Sequence, residues 1–274
     1  MPYLIQLFKS GNMVHEISDG YIKVEAHSGV TTIEFFHPQS NALPGNILAD
    51  LVQEIHAAGN DTNSKVIILR SGGDNAFCAG ADFNELLTLK DSREGTAFFL
   101  GFANVINEMR KCPKLIIARI HGNCIGGGVG LAAAADYCIA MENVQVRLSE
   151  LSFGLGPFVV GPAIERKIGG AAFSALAIDS GKWRNSDWAK RKGLFAELHE
   201  SVENMDESIS TLSHTLAHSS PTAMAEMKKV FWAGTEHWDD LLKERAAISG
   251  RLALTGFTKK SIEKFRAKNP AKVI

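Results

Sequence analysis

Two small-residue loops, each set between an apolar, β-branched run and a helical stretch, constrain this chain more than any other feature. The first is Phe77-Cys-Ala-Gly-Ala-Asp82, after the run Lys65 to Arg70 and before Asn84 to Leu89. The second is Gly126-Gly-Gly-Val-Gly130, after Leu115 to Ile120 and before Val129 to Ala135. Strand, tight turn, helix is a layout that aims free backbone N–H groups at a common point. Two such turns build an oxyanion hole without using a side chain. A carboxylate, Glu150, follows in Leu148-Ser-Glu-Leu-Ser-Phe-Gly154. Oxyanion donors with one carboxylate point to proton chemistry beside a carbonyl.

A chain of 274 residues can bury a substantial core. Its net charge of −1 gives no electrostatic case for nucleic acid or an anionic membrane, so neither is expected as a partner. Apolar runs such as Leu131 to Ala135 are far too short to span a bilayer. Cys78, Cys112, Cys124 and Cys138 lack CxxC spacing and lie in or beside apolar runs, which predicts reduced thiols, no metal site and a cytoplasmic protein. Residues 1–12 are mildly apolar but carry no basic start or cleavage site. They are read as a disordered leader, Met13 being an equally good start.

Tyr21 to Glu25 and Val30 to Phe35 alternate around the turn-like His27-Ser-Gly29, which predicts a hairpin. Asn46 to Ala58 and Thr96 to Met109 have helical apolar spacing. Val66 to Leu69, Leu115 to Ile120 and Tyr137 to Ala140 read as strands, the first two as runs covered on both faces. The repeating β-β-α rhythm favours stacked turns over a simple doubly wound sheet. Beyond Leu198, the stretches Ser201 to Ser219, Thr222 to Ala233, Asp239 to Leu254 and Thr258 to Lys268 read as helices, with Gly250 inside or ending one. The expected organisation is an α/β body over 13–198 and an all-helical region over 199–274.

The segments FCAGADFNEL, HGNCIGGGVGLAAAADYCIA and LSELSFGLGP, with HPQSNAL at His37 to Leu43 and a final helix holding Phe265, resemble the crotonase superfamily, the enoyl-CoA hydratase/isomerase family. The likeness runs from about Tyr21 to Pro270. It implies a crotonase-like spiral of ββα units, a helical C-terminal oligomerisation region, and a homotrimer or dimer of trimers. It also implies acyl-CoA thioester substrates, with coenzyme A present only as part of the substrate and no separate cofactor. The oxyanion donors it implies are the N–H groups of Ala81 and Gly127, and the CoA pocket is similar to one lined by Ala42, Ala79, Asp82 and Phe83. Relatives often carry lysines near the CoA phosphates where this chain has Asn75 and Asn84. Two-carboxylate hydratases have a glutamate where this chain has Gly130, whereas the second family glutamate is present as Glu150.

One carboxylate, set among Leu148, Leu151 and Phe153, suits syn hydration or dehydration of a 2-enoyl thioester. The pattern most resembles the single-glutamate 3-methylglutaconyl-CoA hydratases and related dehydratases, and the expected activity is that of an acyl-CoA hydro-lyase. Isomerisation of a 3-enoyl to a 2-enoyl thioester is the alternative, and a non-catalytic CoA-ligand-binding role is a second. Other residues have plainer readings. Asp82 suits a helix cap at Phe83, and His121 a turn. His214 and His218 fit an exposed helix face, and Lys228-Lys229 and Lys259-Lys260 solvated ones. Arg147 either meets a substrate carboxylate or points outward to solvent.

Overall fold

The computed structural model describes residues 13–17 and 20–268, and the expected leader at 1–12 lies outside them. The chain opens with β1 (Met13–Ile17), β2 (Gly20–His27), β3 (Val30–Phe36), β4 (Ala42–Leu43) and α1 (Gly45–Asn60). Next come β5 (Val66–Ser71), β6 (Ala76–Cys78), β7 (Gly80–Ala81), α2 (Phe83–Thr88) and α3 (Ser92–Lys111). The middle holds β8 (Leu115–Ile120), β9 (Asn123–Ile125), α4 (Gly127–Ala134), β10 (Tyr137–Met141), β11 (Gln145–Arg147) and a 3₁₀ turn, Glu150–Phe153. It is followed by α5 (Gly161–Ile168), α6 (Gly170–Ile178), β12 (Arg184–Asn185), α7 (Ser186–Arg191) and β13 (Glu197–His199). Four helices finish the described chain: α8 (Val202–Ala217), α9 (Pro221–Phe231), α10 (Trp238–Ala253) and α11 (Gly256–Lys268).

Seven strands form one sheet in the order β1-β2-β3-β5-β8-β10-β13, antiparallel from β1 to β3 and parallel thereafter. A smaller sheet runs β12-β11-β9-β6, and β4 pairs with β7. The pairs β5-β6, β8-β9 and β10-β11 each send one strand to the large sheet and the next to the small one before a helix returns. Thus β8-β9-α4 and β10-β11-α5 are successive ββα units, the mixed α/β arrangement expected of a crotonase fold. The corner between β8 and β9 needs Gly122, because a Cβ there would lie 2.7 Å from the Asn75 carbonyl oxygen. Val66, Ile67 and Leu69 on β5 and Ile116 to Ala118 on β8 are buried, as expected of strands covered on both faces.

Three readings change in the structure. Residues 197–199 form an edge strand parallel to β10, so the boundary drawn at 198 falls within β13. The helices expected as a separate region over 199–274 share the core of the body. Met205 on α8, Trp232 just after α9, and Trp238, Leu242 and Ala246 on α10 belong to the same buried cluster as the sheet. Gly250 lies inside α10, where the helix crosses α3 so closely that a Cβ at Gly250 would sit 2.5 Å from the Thr96 nitrogen. Lys228, expected in solvent, is buried. Its Nζ lies 2.9 Å from Asp136 Oδ2 and donates to the Lys114 carbonyl, tying α9 to the start of β8. No described helix is long and apolar enough to cross a membrane.

Candidate active site

Both small-residue loops arrive at one point. Asp82 N–H donates to the Leu43 carbonyl in the β4–β7 pair. The N–H of Ala81, one residue earlier in extended chain, therefore faces the opposite edge. Gly126 takes φ +52°, which reverses the chain into α4 and leaves Gly127 in the first turn, where N–H groups have no intrahelical acceptor. Gly80 brings the loops together, since a Cβ on it would lie 3.3 Å from the Gly127 nitrogen. Ala81 and Gly127 both line a cavity of about 70 Å³.

Glu150 lines the same cavity from the start of the 3₁₀ turn. Its carboxyl lies beside Gly126, where a Cβ would come 3.0 Å from Oε1. Oε2 is buried and has no hydrogen-bond partner. Burial raises the Glu150 pKa to about 7, against smaller opposing effects from backbone N–H groups and the charge of Arg147. A group poised there can both accept and return a proton near neutrality. Leu86, Phe99, Phe102, Phe158 and Val160 supply apolar wall, and among the described residues no lysine or arginine lines this cavity. Gly130 packs against Val160, whose Cγ1 would lie 2.5 Å from a Cβ at position 130. Valine thus occupies the space that a larger residue at position 130 would need.

A second cavity, of about 500 Å³, adjoins the first and shares Ala79, Ala81, Phe83, Ser149 and Phe153 with it. Of the four residues expected to line a CoA pocket, Ala42, Ala79 and Phe83 line this larger cavity. Asp82 lines neither cavity. Its buried Oδ1 accepts from Glu85 N–H at 2.7 Å and caps α2. Asn75 and Asn84 line the larger cavity as well. Arg147, for which solvent exposure was the competing reading, also lines it, with its guanidinium 4.5 Å from the Trp183 ring centroid. Spacing along β11 alone did not reveal this placement. Its signal is the parallel register of Arg147 with Ile125, which also lines the cavity.

The remaining candidates lie elsewhere. His121 lines neither cavity. The rings of His214 and His218 lie 4.3 Å apart on α8, and among the described residues no three His, Cys, Asp or Glu side chains converge as a metal site would require. All four cysteines are free and buried, and burial lifts the Cys78 thiol to about 12.

The sequence profile of the enoyl-CoA hydratase/isomerase family matches residues 25–271. A probable enoyl-CoA hydratase of Bacillus subtilis is 27% identical over 240 residues, covering 87% of this chain and 93% of the relative. A mitochondrial methylglutaconyl-CoA hydratase of Mus musculus is 29% identical over 236 residues, covering 84% and 74%. Among solved structures, an enoyl-CoA hydratase from Bacillus halodurans superposes with a TM-score of 0.82 over 89% of this chain and 99% of its own, at 23% identity. That last likeness concerns the fold.

Proposed function

The chain belongs to the enoyl-CoA hydratase/isomerase family, and on that premise we propose that it adds or removes water across a 2-enoyl-CoA thioester with Glu150 as sole general acid/base. The observation that carries this reading is the unpartnered, buried Oε2 of Glu150 in a cavity shared with the N–H groups of Ala81 and Gly127. In the hydration direction, Glu150 takes a proton from water as the water oxygen bonds to the β-carbon. Electron density moves to the thioester oxygen, held by the two N–H groups, each contributing about 3–4 kcal/mol. The proton then returns from Glu150 to the α-carbon on the same face. Dehydration is the reverse.

The acyl group fits the smaller cavity and the CoA arm the larger. A wall of Leu86, Phe99, Phe102, Phe158 and Val160 with no cation suits a short, uncharged acyl group. A methylglutaconyl carboxylate buried there would lack a partner, at a cost that disfavours it against a neutral chain. Isomerisation of a 3-enoyl thioester is the second reading, favoured by the packing of Val160 on Gly130, which leaves one carboxylate lining the cavity. No cofactor beyond the CoA of the substrate is part of this proposal. Assembly as a homotrimer or dimer of trimers is part of it. Leu151, Ile178 and Phe257 are large apolar residues left exposed on the 3₁₀ turn and on α6 and α11, the helices that touch it.

Mass spectrometry of thioesters incubated with the protein tests the reading. The panel holds crotonyl-CoA, 3-methylglutaconyl-CoA, 3-hydroxy-3-methylglutaryl-CoA and a 3-enoyl-CoA. Gain or loss of one water, abolished by Glu150→Gln, is expected, with the uncharged crotonyl thioester preferred. Conversion of the 3-enoyl thioester at constant mass, without water exchange on any other, would overturn hydration in favour of isomerisation. No turnover across the panel, with CoA still bound, would leave the non-catalytic binding role.

A further inference from the structure

The two cavities differ in charge. Among the described residues, Glu150 is the one charged residue lining the smaller, whereas Arg147 and Arg266 line the larger and no carboxylate does. The floor of the larger cavity is one face of the small sheet, carrying Ala76, Asn123, Ile125 and Arg147 across β6, β9 and β11. Val146 and Cys124, paired on the opposite face, are fully buried. Arg147 therefore cannot turn inward, and its guanidinium is held over Trp183 on the cavity side.

Stacking on an indole uses the face of a guanidinium and leaves its edge N–H donors free. The Arg147 Nε is buried with no hydrogen-bond acceptor. With Nε enclosed, the terminal Nη groups are the donors through which the cation can meet an oxyanion in the cavity, and among the described residues no hydrogen bond engages them. Glu150 acts on Arg147 only through its charge, with no direct contact between the two side chains among the described bonds.

We propose that Arg147, held over the Trp183 ring, is an anion-receiving residue of the larger cavity and takes an oxyanion group of the bound thioester. The assignment rests on the thioester reading above. Two parts of such a substrate carry that chemistry: the phosphates of the CoA arm and a carboxylate on the acyl group. The neutral wall around Glu150 and the neutral Asn75 and Asn84 in the larger cavity favour the phosphates.

The test is calorimetric binding of CoA, 3′-dephospho-CoA and pantetheine to the wild type, Arg147→Met, Arg147→Lys and Trp183→Leu. Arg147→Met should weaken CoA by about tenfold or more and leave pantetheine unchanged. Arg147→Lys should recover part of the loss, because it restores the charge without the planar fork. Trp183→Leu keeps the charge, removes its platform, and should weaken CoA in the same selective way. It serves as the second line of evidence should Arg147→Met not fold. Pantetheine thioesters of equal length, ending in carboxylate or methyl, separate the two sources. Selective loss of the carboxylate-ended one in Arg147→Met, with CoA unaffected, assigns the anion to the acyl group. Unchanged binding of every ligand in a folded Arg147→Met protein overturns the proposal. A wild type that binds neither CoA nor any thioester overturns the thioester reading itself, and this assignment with it.

Discussion

At the scale of single residues, the proposed chemistry turns on Glu150, whose pKa near 7 arises from burial. Its folded value lies above the unfolded one. The ionised form therefore destabilises the fold, by an amount absent below about pH 4.5 and fully present above about pH 7. At the plateau this is about 3 kcal/mol. Glu150→Gln should accordingly melt higher than wild type at pH 8 and about equally at pH 4.5, and thermal denaturation at the two pH values checks this. The hydration rate should rise with pH through about 7 as the carboxyl ionises. Arg147 lowers the Glu150 pKa through its charge. Arg147→Met should move that acid limb upward, which a pH–kcat profile would detect. Gly130 is the second decisive position. Gly130→Ala forces a Cβ to within 2.7 Å of the Val160 Cβ, an overpacking of about 1–3 kcal/mol that exceeds the helix propensity gained. A Val160→Ala background should relieve most of it, and a double-mutant cycle by urea denaturation measures the coupling.

At the scale of elements, long periodic stretches were readable and short ones were not. Helices α1, α3 and α8 to α11 showed their apolar spacing, and β5 and β8 their continuous apolar runs. Strands β4, β7, β9, β11 and β12 have two or three residues each, too few for a period to show. They exist because neighbouring chain supplies hydrogen-bond partners, which is a property of the fold. The crossing of α3 and α10 shows the same limit. Gly95 and Gly250 are both interior to helices, where glycine costs about 1 kcal/mol against alanine. Backbone contact between the helices explains them. Gly250→Ala would drive a Cβ to 2.6 Å from the Gly95 carbonyl carbon, and backbone cannot yield as a side chain can. We expect a loss of about 1–3 kcal/mol in urea denaturation despite the better helix former. The Lys228–Asp136 pair fastens α9 to the sheet with side chains 3% and 6% exposed. Lys228→Met removes the cation from a buried carboxylate that keeps only its Ile116 and Trp232 N–H donors, and should cost about 3 kcal/mol by the same measurement.

At the scale of the whole molecule, one core joins the sheet to α8 and α10, a second buried cluster joins α2, the 3₁₀ turn and α11, and the smaller cavity is lined by residues of both. The loops contribute Ala81 and Gly127, the 3₁₀ turn Glu150, and α11 supplies Phe265 and Arg266 at the far wall of the larger cavity. A ligand filling that cavity touches elements distant in sequence, so its binding should stabilise the entire cooperative unit. CoA at 100 times its dissociation constant should add about 2.7 kcal/mol to unfolding. A thermal shift that grows with CoA concentration would confirm this, and no shift at saturation would contradict it.

That Ala81, Gly127 and Glu150 line one cavity was legible because they sit in loops whose small residues and positions between apolar runs are local properties. A free N–H at the start of α4 needs only the turn at Gly126 and the helix after it. The family likeness, the ββα rhythm and the lone carboxylate follow from the amino-acid order in the same way. Packing decided the rest. Whether Arg147 met solvent or cavity depended on which face of β11 rests on the core, a matter of register with β9. Whether Asp82 lined the pocket or capped α2 depended on where its carboxylate found a donor. The loss of room at Gly130 depended on Val160, thirty positions away in the chain and in contact with it only through the fold. Local pattern sets which backbone groups are free and which faces are apolar. Only the tertiary structure, by burying some side chains against others, sets which groups meet and how far each carboxyl is desolvated.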